Sequence, residues 1–198
     1  HLLSRATPCS RRLLRSPRPR VAWRRASGVV GSVGADLAGG RGAGSEVGIR
    51  SVHLGGEITY APSPEQRAFV TAVTAAADVD LVLMHHPHTI QPVEQVNGAW
   101  VFWSLGNFVS GMGPGYGGKY STTFTLDGLL ATVRFTEDPE HAGQFLVEPG
   151  AVAICTMPGS RTVYPATATL ARTDISRTLR QQLTACRART RSIVAFAQ

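Results

Sequence analysis

Leu81-Val82-Leu83-Met84-His85-His86-Pro87-His88 decides how this chain is read. The first four residues form a short, charge-free apolar run between Asp80 and Pro87, the pattern of a strand buried on both faces. Three of the chain's six histidines follow within four positions. A buried strand that ends in histidines delivers imidazoles to the C-terminal edge of a sheet, where ligands bind in open α/β folds. Neutral imidazole is the commonest protein ligand for zinc and its neighbours, and a dense histidine cluster is a metal signal. The competing reading is a solvated polar loop in which the run is chance.

Upstream of this run, Val47 to Leu54 has the texture of a second strand carrying His53, and Gly55-Gly56-Glu57 turns out of it. Ser63-Pro64-Glu65-Gln66 then opens a helix: serine at N-cap, proline at N1, and glutamine at N3 to complete a capping box. That helix is predicted over 64–77, burying Phe69, Val70, Val73, Ala76 and Ala77. Strand, helix and strand make a right-handed βαβ unit with a parallel pair, which places His53 at the same edge as the 85–88 cluster.

Downstream, Asn97-Gly98 joins the runs 92–96 and 99–104 as a two-residue hairpin. A glycine-rich loop follows over 106–118, read equally as lid, disordered insertion or substrate contact. Further hairpins are expected, with 122–126 turning at Asp127-Gly128 into 129–135, then 144–147 with 152–155. A last helix over about 175–195, capped by Asp174, would bury Ile175, Leu179, Leu183 and Cys186 and leave Arg187, Arg189 and Arg191 in solvent.

At 198 residues the chain is long enough for one domain with a core of its own. The net charge of +7 is unevenly spread. Residues 1–50 hold ten arginines against Asp36 and Glu46, a net +8, whereas 51–198 hold nine arginines and Lys119 against eleven acids, a net −1. Basicity confined to one quarter of the chain, without aromatic interleaving or a reading module, argues against a specific nucleic-acid binder, although clustered arginine suits phosphates. Cys9, Cys155 and Cys186 show no paired spacing, so neither a thiolate zinc site nor a disulfide framework is expected. No apolar run reaches the roughly 18 residues of a membrane span. Ser10-Arg11-Arg12-Leu13-Leu14 is similar to the core of a twin-arginine signal, but no apolar stretch follows it, so export by this segment is not expected. Residues 1–46, Arg- and Gly-rich and starting at His1, are expected to be disordered or foreign to the domain.

The series Val52-His53-Leu54-Gly55-Gly56-Glu57, Pro62 to Gln66, His85-His86-Pro87-His88-Thr89-Ile90-Gln91-Pro92-Val93-Glu94 and Trp103-Ser104-Leu105-Gly106-Asn107-Phe108 resembles the bacterial capsule synthesis family CapA, of poly-γ-glutamate biosynthesis. The resemblance implies an α/β, calcineurin-like metallophosphatase sandwich, here its C-terminal half over 47–160, with a C-terminal extension over 161–198. It implies a divalent metal ion (zinc, manganese or iron) on His53, His86 and His88. His85 and Glu57 would move protons or orient the ligands from behind, Asn107 would contact substrate, and a cell-envelope polymer or its precursor would be that substrate. Leu54 and Met84 replace the family's usual tryptophan and glycine. More seriously, the family's Gly-Asp and Asn-Asn-His motifs are missing from residues 1–50. The implied two-metal centre is therefore half-built, and a non-catalytic remnant of the domain is the alternative.

Overall fold

The computed structural model describes residues 21–26, 44–76, 78–114 and 122–198. Val21–Ala26 (β1), Val47–His53 (β2), Leu81–His85 (β3), Val93–Val96 (β4) and Ala99–Phe102 (β5) form one sheet in the order β1-β2-β3-β5-β4. All neighbours are parallel except the β4–β5 hairpin. Its turn is the expected one: Asn97 and Gly98 both take positive φ, 49° and 86°, as a type I′ turn requires. The strand β1 corrects the expectation of a wholly unstructured N-terminal segment, since Val21 to Ala26 pair in register with Val47 to Val52. The rest of residues 1–43, and 115–121 of the glycine-rich loop, lie outside the described residues.

The crossover helix α1, Pro64–Ala76, starts where the capping box puts it. Gln66 N–H donates to Ser63 Oγ at 3.1 Å and Ser63 N–H to Gln66 Oε1 at 2.9 Å, so two otherwise orphaned amides satisfy each other's side chains. Val70 and Val73 are buried and Phe69 half-buried, while Ala76 is exposed and Thr74 takes the expected inner place, its hydroxyl satisfied by the Val70 carbonyl at 2.8 Å. Alternation along the strands gives the sheet two apolar faces. On one, Val52, Val82, Met84, Val101 and Trp103 pack with Val70 and Val73 of α1. On the other, Val47, Ile49, Leu81 and Phe102 meet a second sheet.

That second sheet consists of Asp127–Glu137 (β6), Phe145–Thr156 (β7) and Val163–Pro165 (β8), all antiparallel. Ala166–Leu170 (α2) and Arg177–Ile193 (α3) cover its far side through Ala153, Cys155, Ala166, Leu183 and Cys186. The order is thus helix, sheet, sheet, helices.

Several local expectations fail here for long-range reasons. Thr123–Leu126 is a 3₁₀ turn capped by Thr122, and Asp127-Gly128 begins β6 instead of turning a hairpin. The proposed pair 144–147 with 152–155 is one continuous strand, paired with β6 from Phe145 to Cys155. Pro149-Gly150 lies within it because β8 reaches only Ile154 to Thr156, leaving Pro149 with a strand neighbour on one side only, the situation in which a strand tolerates proline. Ser176, not Asp174, caps α3, its Oγ accepting from Leu179 N–H at 3.2 Å; Asp174 pairs with Arg172. Arg189, expected in solvent, donates two 2.7 Å hydrogen bonds to the buried carboxylate of Asp127, 62 residues away. Burial pushes the Asp127 carboxyl up, against the pull of the Arg189 guanidinium. Cys155 and Cys186 form a disulfide, contrary to expectation, tying β7 to α3 across 31 residues.

Two stability tests follow from this α3 anchorage. Closing a loop of that length is worth about 3–4 kcal/mol. Cys155→Ser/Cys186→Ser should therefore melt roughly 6–16 °C below the oxidised chain, and reductant should lower Tm of the parent but not of the variant. Arg189→Ala strands a buried carboxylate and should cost about 3–5 kcal/mol at neutral pH. Because the folded pKa of Asp127 is raised, the folded state takes up its proton first, so that deficit should shrink as pH falls through the folded pKa. A deficit independent of pH would contradict the pairing.

Candidate metal centre

Parallel pairing of β2 with β3 sets Val52 opposite Met84 and His53 opposite His85. Both strands stop there, and the Leu54 amide closes the ladder on the His85 carbonyl at 3.1 Å. The chain beyond β3 is bent sharply: His86 has φ 105° and His88 φ 59°. Positive φ in a residue with a Cβ carries strain of about 1–3 kcal/mol and persists only where surroundings enforce it. The enforcing contacts are polar and buried. Thr89 Oγ1 donates to the Thr59 carbonyl at 2.6 Å, and Gln91 Nε2 to the carbonyls of Thr59 and Ala61, both at 2.9 Å. Ile58, itself at φ 56°, donates its amide to the Pro87 carbonyl at 2.8 Å. Thr89 and Gln91 stand in the family-like run 85–94, but their anchoring role shows only in the structure, where both are wholly buried.

The bend brings three imidazoles to one edge. His53 Nε2 and His86 Nδ1 lie 2.9 Å apart, with ring centroids 4.8 Å apart and planes at 66°. The His88 ring centroid is 6.2 Å from that of His86. His53 is exposed, and His85, His86 and His88 are half-buried. His85 sits one position before the bend, in register beside His53, and Glu57 is exposed in the turn after β2. Asn107, expected at the substrate, faces inward: its Oδ1 meets His88 Nδ1 at 2.8 Å and its Nδ2 donates to the Thr125 carbonyl at 2.9 Å.

Two ring nitrogens at this spacing share either a proton or an ion. Nitrogens each about 2.1 Å from one ion, at octahedral to tetrahedral angles, lie about 3.0–3.4 Å apart, slightly more than the 2.9 Å between His53 Nε2 and His86 Nδ1. Among the described residues, no group of three or more His, Cys, Asp or Glu side chains is gathered closely enough to cage an ion. What this edge presents is a pair of nitrogens with His88 beside it.

The family model described as "Bacterial capsule synthesis protein PGA_cap" matches residues 15–112, a stretch that contains β1 to β5, all four histidines of the edge, and Asn107. Residues 15–112, just under half of the chain, carry this family's sequence. "PGA biosynthesis protein CapA" of Bacillus subtilis (strain 168) is 36% identical over 105 residues, covering 53% of this chain and 25% of that protein. "Capsule biosynthesis protein CapA" of Bacillus anthracis is 37% identical over 65 residues, covering 33% of this chain and 16% of that protein. The chain thus spans about a quarter or less of the curated relatives it matches. The family match takes in residues 15–46, which the sequence reading had set apart from the domain.

The loop that carries Asn107 is pressed against the start of β6. A Cβ on Gly128 would overlap the Asn107 carbonyl oxygen and meet Ile154 Cγ1 at 3.1 Å. Gly128→Ala should therefore cost about 1–3 kcal/mol in chemical denaturation, with the Asn107 loop displaced. An unchanged midpoint would show that the loop is not held there.

Proposed function

We propose that this chain serves the synthesis of a capsule polymer of the poly-γ-glutamate kind, through a half-built metallophosphatase-like centre that holds one divalent ion. The observation that carries the reading is the 2.9 Å approach of His53 Nε2 to His86 Nδ1 at the shared end of β2 and β3, inside the stretch matched by the family. The names of the two Bacillus relatives supply the polymer class.

In this reading His53, His86 and His88 hold the ion, which would be zinc, manganese or iron. When bound it would polarise a phosphoryl or acyl oxygen of a cell-envelope polymer or its precursor. In this reading Glu57, exposed on the turn after β2, and His85, next to His53 in the ladder, would take or return a proton at that substrate. Neither a Gly-Asp nor an Asn-Asn-His motif occurs in these 198 residues, so the part of the centre proposed here is the one built on His53, His86 and His88. One ion without a bridging carboxylate binds weakly and supports little phosphoesterase turnover.

Two experiments separate the parts of the proposal. Elemental analysis after dialysis against zinc or manganese should give at most one ion per chain, reduced by His53→Ala or His86→Ala. Two ions per chain, or robust phosphoesterase activity abolished by His88→Ala, would overturn the half-site. Disruption of the gene in its host should lower the surface polymer measured as glutamate after hydrolysis. An unchanged polymer yield would contradict the biosynthetic role whatever the metal content.

A further inference from the structure

The amide of Asn107 is oriented by a partner that leaves no choice. A backbone carbonyl only accepts, and the Thr125 carbonyl lies 2.9 Å from Nδ2. The His88 carbonyl at 3.3 Å and Ser110 Oγ at 3.4 Å lie on the same nitrogen. The nitrogen of the amide therefore points into a set of acceptors, and the oxygen is the atom that faces His88 Nδ1 at 2.8 Å. An amide oxygen has no proton to give. The hydrogen in that contact must belong to the imidazole, and a neutral imidazole has only one. Nε2 of His88 is then the bare nitrogen, with its lone pair directed away from Asn107.

We infer that Asn107 is a positioning residue that locks His88 in the Nδ1–H tautomer and so presents Nε2 as a ligand nitrogen. The inference rests on the proposed metal reading of this edge and gives Asn107 a role behind the ligand instead of at the substrate. Metal-ligating histidines usually donate their second ring N–H to an oxygen that fixes tautomer and ring plane; here that oxygen is Asn107 Oδ1.

The loop that carries Asn107 is itself held. Gly106 takes φ 66° where a Cβ would lie 2.6 Å from the Asp127 carbonyl oxygen, and Ser110 Oγ donates to the Met112 carbonyl at 3.2 Å while accepting the Met112 amide at 3.0 Å. The His88 backbone, at φ 59°, returns its own carbonyl to Asn107 Nδ2, so the two residues are paired through both side chain and main chain. A substrate-contacting asparagine would have to leave these partners unsatisfied.

The test reads the tautomer directly, by nitrogen–proton correlation spectroscopy on ¹⁵N-histidine-labelled full chain, metal-free, well above the ordinary imidazole pKa of about 6.5. His88 should show a protonated Nδ1 and a bare Nε2. Asn107→Ala should shift it towards the Nε2–H form, whereas Ser110→Ala, which removes one acceptor from Asn107 Nδ2 and leaves Oδ1 in place, should keep Nδ1–H. Zinc affinity by calorimetry should fall about 10–100-fold in Asn107→Ala and hold in Ser110→Ala, which loosens the same loop, a split that a merely structural role would not produce. An Nε2–H tautomer in the unaltered chain, or no change in folded Asn107→Ala, would overturn the inference. If Asn107→Ala does not fold, the tautomer of the unaltered chain decides alone. No zinc binding by an unaltered chain with His88 in the Nδ1–H form would fail the metal reading while the tautomer assignment stands.

Discussion

Parallel strands must end at the same edge, and the register of β2 on β3 makes that edge a histidine site. Adjacent strands lie only about 4.8 Å apart. His53 and His85 are direct neighbours in the ladder, and a chain that bends immediately after His85 has to bring His86 back across His53. The rest of the molecule keeps these two strands in that register. Slipping either by one residue would exchange Val52 and Met84, buried against α1, with residues of the opposite face.

The cost of the bend is met locally and by polar groups. His86 and His88 hold positive φ because Thr89 and Gln91, both fully buried, anchor the following turn to Thr59 and Ala61 of the loop after β2. That loop is fixed at its other end by the capping box, whose Gln66 reaches the Trp103 carbonyl at the end of β5. Gly55, at φ 129° and with no room for a Cβ beside Gln66, lets the two approach. The three segments bearing His53, His86 with His88, and Asn107 are thus bound into one polar assembly above two apolar faces. Such an arrangement holds imidazoles in fixed positions before any ligand arrives.

Where sequence and structure agree, the interaction is short-range. Asn97-Gly98 needs only its own φ preferences to make a turn, and Ser63 and Gln66 satisfy each other across three residues. The parallel pair follows from two apolar runs bracketing a capped helix. Where they disagree, the partner is far along the chain. Asp127-Gly128 reads locally as a turn, yet the aspartate answers Arg189 and the glycine makes room for the Asn107 carbonyl. Pro149-Gly150 has the composition of a turn but sits where β7 lacks a neighbour on one side. Cys155 and Cys186 have no telling spacing, and only the packing of α3 on β7 brings them to a Cα separation of 6.3 Å. In the site, the histidines were legible as a cluster. The turn of Asn107 towards His88 was not, because it depends on Thr125, in a 3₁₀ turn that the sequence reads as a strand.

The central claim is that His53, His86 and His88 act on one ion together. Imidazole resonances followed during zinc titration test it most directly, with His141, which pairs with Asp138 in the β6–β7 connection, as an internal reference. The account predicts that His53, His86 and His88 shift in concert and saturate at one equivalent while His141 stays unmoved. Separate saturation of the three, or shifts no larger than those of His141, would contradict it.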